Sequence, residues 1–185
     1  TWLLAESSDE SHNRYTSYGL LRLELLGQKQ LSLLETVGGR CRHAIKLIFA
    51  EKEVLLRRTT AQGESTEQVP LSTHVQAEGP GLDVFVAELP LAVGYRTRYT
   101  IVDRWGGHGA ARVKAVVLSV GKRATEQTSL GQLDIYELLI QTDDDSFQIK
   151  EKVLARSPHF PVRVEYTRNG KVYPPSEVIA MISQP

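Results

Sequence analysis

The sequence predicts a mainly β protein, built as a strongly curved antiparallel sheet of the half-barrel or barrel kind, with a two-layer β-sandwich as the alternative. Three observations predict this class. Apolar and polar side chains alternate with period two along several segments, turn residues separate these segments at short spacing, and no long segment has the period of a helix. Strands with one apolar face must either stack two sheets or curl one sheet on itself.

The chain is expected to consist of a polar tail or linker over residues 1–14 and a single β domain over residues 15–185. The tail is predicted from the polar run at residues 7–11. A length of 185 residues, 41% of them apolar, is enough to bury one core without disulfides or metal.

The first half of the domain shows one alternating strand and two segments that need interpretation. Leucines and charged residues alternate over residues 21–25, which predicts a strand with one apolar face. Residues 44–58 have helix-forming composition, but their apolar residues lie at both ends, and we expect a hairpin. Residues 59–80, rich in Thr, Gln, Glu and Gly, are expected to form a long loop or a weak edge region.

The second half contains clearer strands and stronger turn signals. Alternation places Tyr95, Tyr99 and Ile101 on one face, and it recurs over residues 147–153 and 160–166, while residues 115–118 and 138–140 are apolar on both faces. Asn169-Gly170 predicts a two-residue hairpin, because both central residues of a type I′ turn need positive φ. Residues 105–109 and 143–145 are interpreted as two further hairpin tips.

Three stretches of the second half combine turn residues with the start of a strand. They are Leu89-Pro90-Leu91-Ala92-Val93-Gly94-Tyr95, Ser129-Leu130-Gly131-Gln132-Leu133-Asp134-Ile135-Tyr136 and His159-Phe160-Pro161-Val162-Arg163-Val164-Glu165-Tyr166. Together they resemble a bacterial exported family of domains of unknown function, whose fold is similar to the half-barrels of the lipoprotein-localisation carriers. The resemblance covers roughly residues 80–167 and rests on turn residues and strand starts, not on residues that carry chemistry. It implies a periplasmic or cell-envelope location and no known activity.

Charge and composition exclude several functions. With 22 basic and 22 acidic residues, the chain has no broad attraction for nucleic acid or for an anionic membrane. No segment approaches the roughly 20 consecutive apolar residues of a transmembrane helix. No cofactor motif and no metal-ligand spacing occurs, since the five histidines are far apart in sequence, and no protein partner is indicated. No export signal is visible in the sequence, and because it begins with Thr1 we expect a trimmed chain that has lost its export signal, with a cytoplasmic location as the alternative to the envelope.

The predicted ligand-binding residues are aromatic or polar groups near one sheet face and one loop. Tyr95, Tyr99 and Tyr166 offer an apolar ring with a hydroxyl at its tip. Trp105 and His108 lie in a glycine-rich loop that would stand at the mouth of a concave sheet. Structural interpretations remain beside these, because the same tyrosines suit a packed core and the same loop suits a plain turn.

No catalytic residue is assigned. Cys41, the single cysteine, lies between Arg40 and Arg42, and positive neighbours would activate a thiol. Alternation places both arginines on the face opposite Cys41, which favours a structural, buried cysteine.

The sequence therefore predicts a non-enzymatic, envelope-associated binding or carrier module that shelters an apolar small molecule, lipid or acyl chain. The alternative is a structural or protein-interaction β domain with a packed core. A third reading is a thiol-dependent enzyme that uses Cys41.

Overall fold

The structure, a computed structural model, describes residues 2–10, 13–24, 27–37, 40–71, 75–77, 80–103, 112–173 and 175–177. Contacts divide the chain into two compact units, Thr1–Leu82 with Thr100–Lys114 and Asp83–Tyr99 with Ala115–Pro185. Within the described residues there are fourteen strands and one short helix.

The first unit contains a six-stranded antiparallel meander in which each strand pairs with the next. Its strands are β1 (Trp2–Glu10), β2 (Asn13–Glu24), β3 (Gly27–Val37), β4 (Arg40–Phe49), β5 (Glu53–Thr60) and β6 (Gly63–Pro70). Register places Leu31, Leu47 and Leu56 side by side on β3, β4 and β5, and all three are fully buried. This row of leucines forms the centre of the meander's apolar face.

A second sheet has the strand order β13-β12-β11-β10-β9-β8-β7, with β14 paired to β12. The bounds are β7 (Gln76–Ala77), β8 (Arg96–Asp103), β9 (Arg112–Thr128), β10 (Gly131–Thr142), β11 (Phe147–Leu154), β12 (Pro161–Arg168), β13 (Lys171–Val172) and β14 (Ser176–Glu177). The short β7 pairs with β8 in parallel, and strands β9 to β12 form an antiparallel meander.

Helix α1 (Pro80–Ala87) precedes β8. Pro80 suits the first helical position, since its missing N–H would have no partner within the helix, and Asp83 places a negative charge in the first turn. The carbonyl of Ala87 accepts a hydrogen bond from the backbone N–H of His159 at 3.1 Å. The sequence predicts no long helix, and α1 has eight residues.

The mainly β, antiparallel fold class is confirmed. Within the described residues, both strand orders have two ends, so neither sheet closes into a barrel. The hairpin predicted over residues 44–58 is confirmed as β4 and β5, with Phe49 opposite Val54. The hairpin at Asn169-Gly170 is also confirmed, because these residues have φ of 47° and 77° and join β12 to β13.

One expectation for the first half differs from the structure, and one is confirmed in its second alternative. Residues 2–10, expected within a tail, form β1, which pairs with β2 from Trp2 opposite Leu21 to Glu10 opposite Asn13. Within the stretch expected as a long loop or a weak edge region, β6 lies at one edge of the meander and exposes most of its side chains, as expected of a weak edge. Polar composition is a poor guide to edge strands, because an edge strand with solvent-exposed side chains needs few apolar residues. The single domain over residues 15–185 stays a prediction.

Candidate functional site

The two faces of strands β9 to β12 have opposite character. We call inner the face that carries Phe147, Ile149 and Val153, and outer the face that carries Gln148, Lys150 and Lys152. The inner three are fully buried. This division follows directly from alternation along β11.

The inner face is closely packed. In register, Leu118, Ile140 and Ile149 form one row across β9, β10 and β11, and each has an exposed fraction of 0%. A side chain with no exposed area touches neither bulk solvent nor an internal void of water size. At these residues the inner face therefore has no room for an acyl chain.

One inner-face residue breaks the pattern. Glu151 lies in register between Leu138 of β10 and Val164 of β12, and its exposed fraction is 1%. Neither carboxylate oxygen has a hydrogen-bond partner within the part of the chain that the structure describes. Burial raises the pKa of Glu151 to about 7, because removal from water penalises the charged form.

Tyr99 of β8 belongs to the same buried region. Its hydroxyl also lacks a hydrogen-bond partner among the described residues, and its ring contacts that of Phe85 in α1, with centroids 5.0 Å apart. Burial raises the pKa of Tyr99 well above its ordinary value, and the negative charges of Glu151 and Asp83 add to the effect. The phenol is therefore neutral at physiological pH.

The outer face of the same strands bears a groove of about 450 Å³. Two rows of residues line it. The first row is Ser119, Leu139, Lys150 and Glu165, and the second is Gly121, Glu137, Lys152 and Arg163; Leu138 and Glu151 complete the lining.

Two irregularities of pairing border the groove. The register between β9 and β10 shifts at Tyr136/Leu138, and the register between β11 and β12 shifts at Lys152/Val153. A bulge locally bends its strand and increases the twist of the sheet. Gly121 adds no side chain beside the first shift, and Leu139 is the apolar side chain among the two outer rows that line the groove.

Ion pairs satisfy most charges around the groove. Glu137 pairs with Lys122 at 3.4 Å, Lys152 with Glu126 at 2.7 Å and Arg163 with Glu165 at 3.0 Å. Lys150 differs, because no acidic group of the described residues lies within ion-pair distance of its ammonium. Together the lining side chains and these partners carry one more positive than negative charge when Glu151 is protonated.

The structure separates the residues that the sequence predicts for a ligand site. Tyr95 precedes β8 and is half-buried, Tyr99 lies in β8, and Tyr166 is in β12, which three strands separate from β8. Trp105 and His108 lie outside the described residues. The predicted site stays a prediction.

Cys41 and the histidines give no chemical centre that the structure describes. Cys41 lies in β4, opposite Thr36 and next to a register shift, and its side chain is outside the described set. His159 is buried, and its Nδ1 lies 2.8 Å from the carbonyl oxygen of Leu154, which is a structural role. In the described residues, no three His, Cys, Asp or Glu side chains lie close enough together to hold a metal ion.

Sequence reasoning missed Glu151, Leu139 and Lys150. The signal for Glu151 was present, because an acidic residue stands between Ile149 and Val153 where the period requires an apolar one. The groove could not be found in this way, since its rows come from four strands whose register depends on bulges.

Comparisons with known proteins do not assign the chain to a family. No protein-family model matches the chain, and no curated protein and no solved structure shows significant similarity to it. The resemblance to the exported family stays a prediction. No helix of the described residues is long and apolar enough to cross a membrane.

Proposed function

We propose that the protein is a non-enzymatic binding module that takes up an amphipathic anion, such as a medium-chain fatty acid, in the outer groove. The observation that carries the proposal is the position of Lys150, a cation without an acidic partner in the described residues, directly across from the apolar Leu139. An anionic head would pair with Lys150 while its chain covers Leu139. An apolar surface with few convergent polar groups is typical of small-molecule sites.

The positive charge of the groove favours a negatively charged ligand. Because Glu137 and Glu165 already have cationic partners, the groove offers an incoming molecule one uncompensated positive charge. A cationic amphiphile would meet repulsion at Lys150, and a neutral one would leave the ammonium unpaired. An acyl ligand also suits the lipid-binding carrier that we expect from the sequence, and the resemblance adds an exported, periplasmic location to the proposal without identifying a ligand.

The experiment is calorimetric titration of octanoate, octanol and octylammonium into the protein. We expect octanoate alone to bind stoichiometrically. Lys150→Glu should weaken octanoate binding by about tenfold or more, as expected for the loss of a charge-assisted contact and its replacement by repulsion. Lys171→Glu makes the same charge change on the exposed β13, outside the groove, and is the matched control.

Two results would count against this function. Equal binding of octylammonium would show that charge does not select the ligand. Equal effects of the two lysine substitutions would show that the groove is not the site. If octanoate does not bind at all, the protein-interaction domain becomes the better hypothesis, with β6 as the exposed edge that would pair with another chain.

A further inference from the structure

Glu151 lies directly behind the groove. Its row on the inner face is Val120, Leu138, Glu151 and Val164, and this row runs between the two outer rows that line the groove. Lys150 and Lys152, its neighbours on β11, project to the outer face. A single thickness of sheet therefore separates the carboxyl of Glu151 from an anion bound at Lys150.

The groups around Glu151 leave its charge uncompensated. In its own row and strand the neighbours are apolar, namely Leu138, Val164, Ile149 and Val153. Among the described residues, Tyr99 from β8 and Asp83 from α1 are titratable groups on that side, and neither brings a positive charge. The cations nearest along the chain are the two lysines of the groove.

An anion in the groove and an ionised Glu151 would repel each other. The packed interior between them screens charge poorly, so the interaction is stronger than between exposed groups at the same separation. The pKa of Glu151, about 7, means that its charge changes within the physiological range.

Building on the proposed function, we infer that anion uptake in the outer groove is linked to protonation of Glu151 on the opposite face of β11. The groove holds its ligand more tightly when Glu151 is neutral. By reciprocity, a bound anion makes Glu151 retain its proton to higher pH. The ligand is thus taken up in mildly acidic surroundings and released as the pH rises.

The first experiment measures the affinity for anilinonaphthalene sulfonate, a fluorescent amphipathic anion whose sulfonate stays ionised, from about pH 6 to about pH 8.5. We expect the Kd of the wild-type protein to rise about fivefold across this range, a coupling of ordinary size for linked sites. In Glu151→Gln, which keeps the shape of the neutral acid, the Kd should vary less than about twofold, since the carboxyl that we propose to titrate in this range is gone.

The same titration separates the two proposals. Binding that is independent of pH in the wild-type protein, or equally dependent on pH in Glu151→Gln, overturns the linkage and leaves the groove as a ligand site. Binding of the probe at no pH overturns the groove itself, and the linkage with it.

The second experiment does not depend on a substitution. Carbon-13 NMR of the side-chain carboxyl of Glu151 gives its pKa directly, with and without saturating octanoate. We expect octanoate to raise this pKa by about 0.7 unit or more, as the fivefold coupling requires. An unchanged pKa in the presence of bound octanoate overturns the linkage.

Discussion

The two faces of β11 differ in how closely their side chains are packed and how far they are exposed to solvent. On the inner face, Phe147, Ile149 and Val153 have no exposed area, and their neighbours fill the space around them. On the outer face, Lys150 and Lys152 border an open groove. At the groove, Glu151 is an acidic residue on the inner face and Leu139 is an apolar residue on the outer face.

These two exceptions identify where stability alone does not explain the sequence. A leucine at position 151 would continue the inner apolar row, and a polar residue at position 139 would suit the outer face. Consistency between local pattern and fold is the rule in natural proteins, and departures from it concentrate at functional sites. The contrast between the faces can be tested by substitutions of decreasing effect.

The largest effect is expected from truncation on the inner face. Ile149→Ala removes buried apolar volume from a row that has no void, and should lower the free energy of unfolding by about 2–5 kcal/mol. Lys150→Ala, one residue along the same strand, should change it by less than about 0.5 kcal/mol. Urea unfolding of both variants measures the difference. Similar losses would contradict the division into a packed and an open face.

The next largest effect is that of Glu151 on the free energy of unfolding, and it depends on pH. Its folded pKa of about 7 lies above its ordinary value of 4.5, so the native protein binds more protons than the unfolded chain between these values. Stability attributable to this group is therefore complete below about pH 4.5, falls as the pH rises towards 7, and stays reduced above it. The reduction is on the order of 3 kcal/mol.

Glu151→Leu removes this dependence. Relative to the wild-type protein, the variant should gain on the order of 3 kcal/mol more stability at about pH 8 than at about pH 5, as measured by urea unfolding at both values. Other titrating groups are common to both proteins and cancel in the comparison. A gain that is the same at both values would mean that Glu151 is not buried as a titrating acid.

A smaller effect on the free energy of unfolding is expected at the turn between β12 and β13, where the backbone conformation limits which residue fits. Gly170 has a φ of 77°, and no atom lies within 4 Å of the place where a Cβ would stand, so a substitution there meets strain without steric overlap. Gly170→Val should lower the free energy of unfolding by about 1 kcal/mol or more. Asn169→Gly keeps positive φ accessible and serves as the control. An unchanged melting temperature for Gly170→Val would contradict the type I′ turn.

The smallest effect is expected for an exposed ion pair. Arg98 pairs with Asp143, and the two side chains are 60% and 68% exposed. Arg98→Ala should change the free energy of unfolding by less than about 0.5 kcal/mol, since water screens the pair. A loss comparable to that of Ile149→Ala would show that surface charge, and not the inner face, holds this unit together.

Much of the local structure could be predicted from the sequence, because its causes are local. The turn at Asn169-Gly170 needs two residues that tolerate positive φ, and the β4–β5 hairpin follows from apolar runs on either side of polar residues 50–53. In contrast, β1 and β6 are strands because a neighbouring strand pairs with them. Their polar composition does not reveal that neighbour.

The candidate site was largely beyond sequence reasoning. Alternation over residues 147–153 predicted the buried face of β11 but passed over Glu151, because an isolated acidic residue carries meaning only once its neighbours are known to be apolar. The groove depends on the register of four strands and on two shifts of that register. Register is set by side-chain packing between strands distant in sequence, which periodicity along one strand does not contain.

The most direct test of this account is NMR of protein labelled with carbon-13 at the leucine and isoleucine methyl groups, titrated with octanoate. We expect shifts of the Leu139 methyls that saturate with one equivalent of ligand, while the methyls of Ile149 and Ile140 keep their positions. Shifts at Ile149 and Ile140 without a change at Leu139 would contradict it, because the ligand would then lie on the inner face.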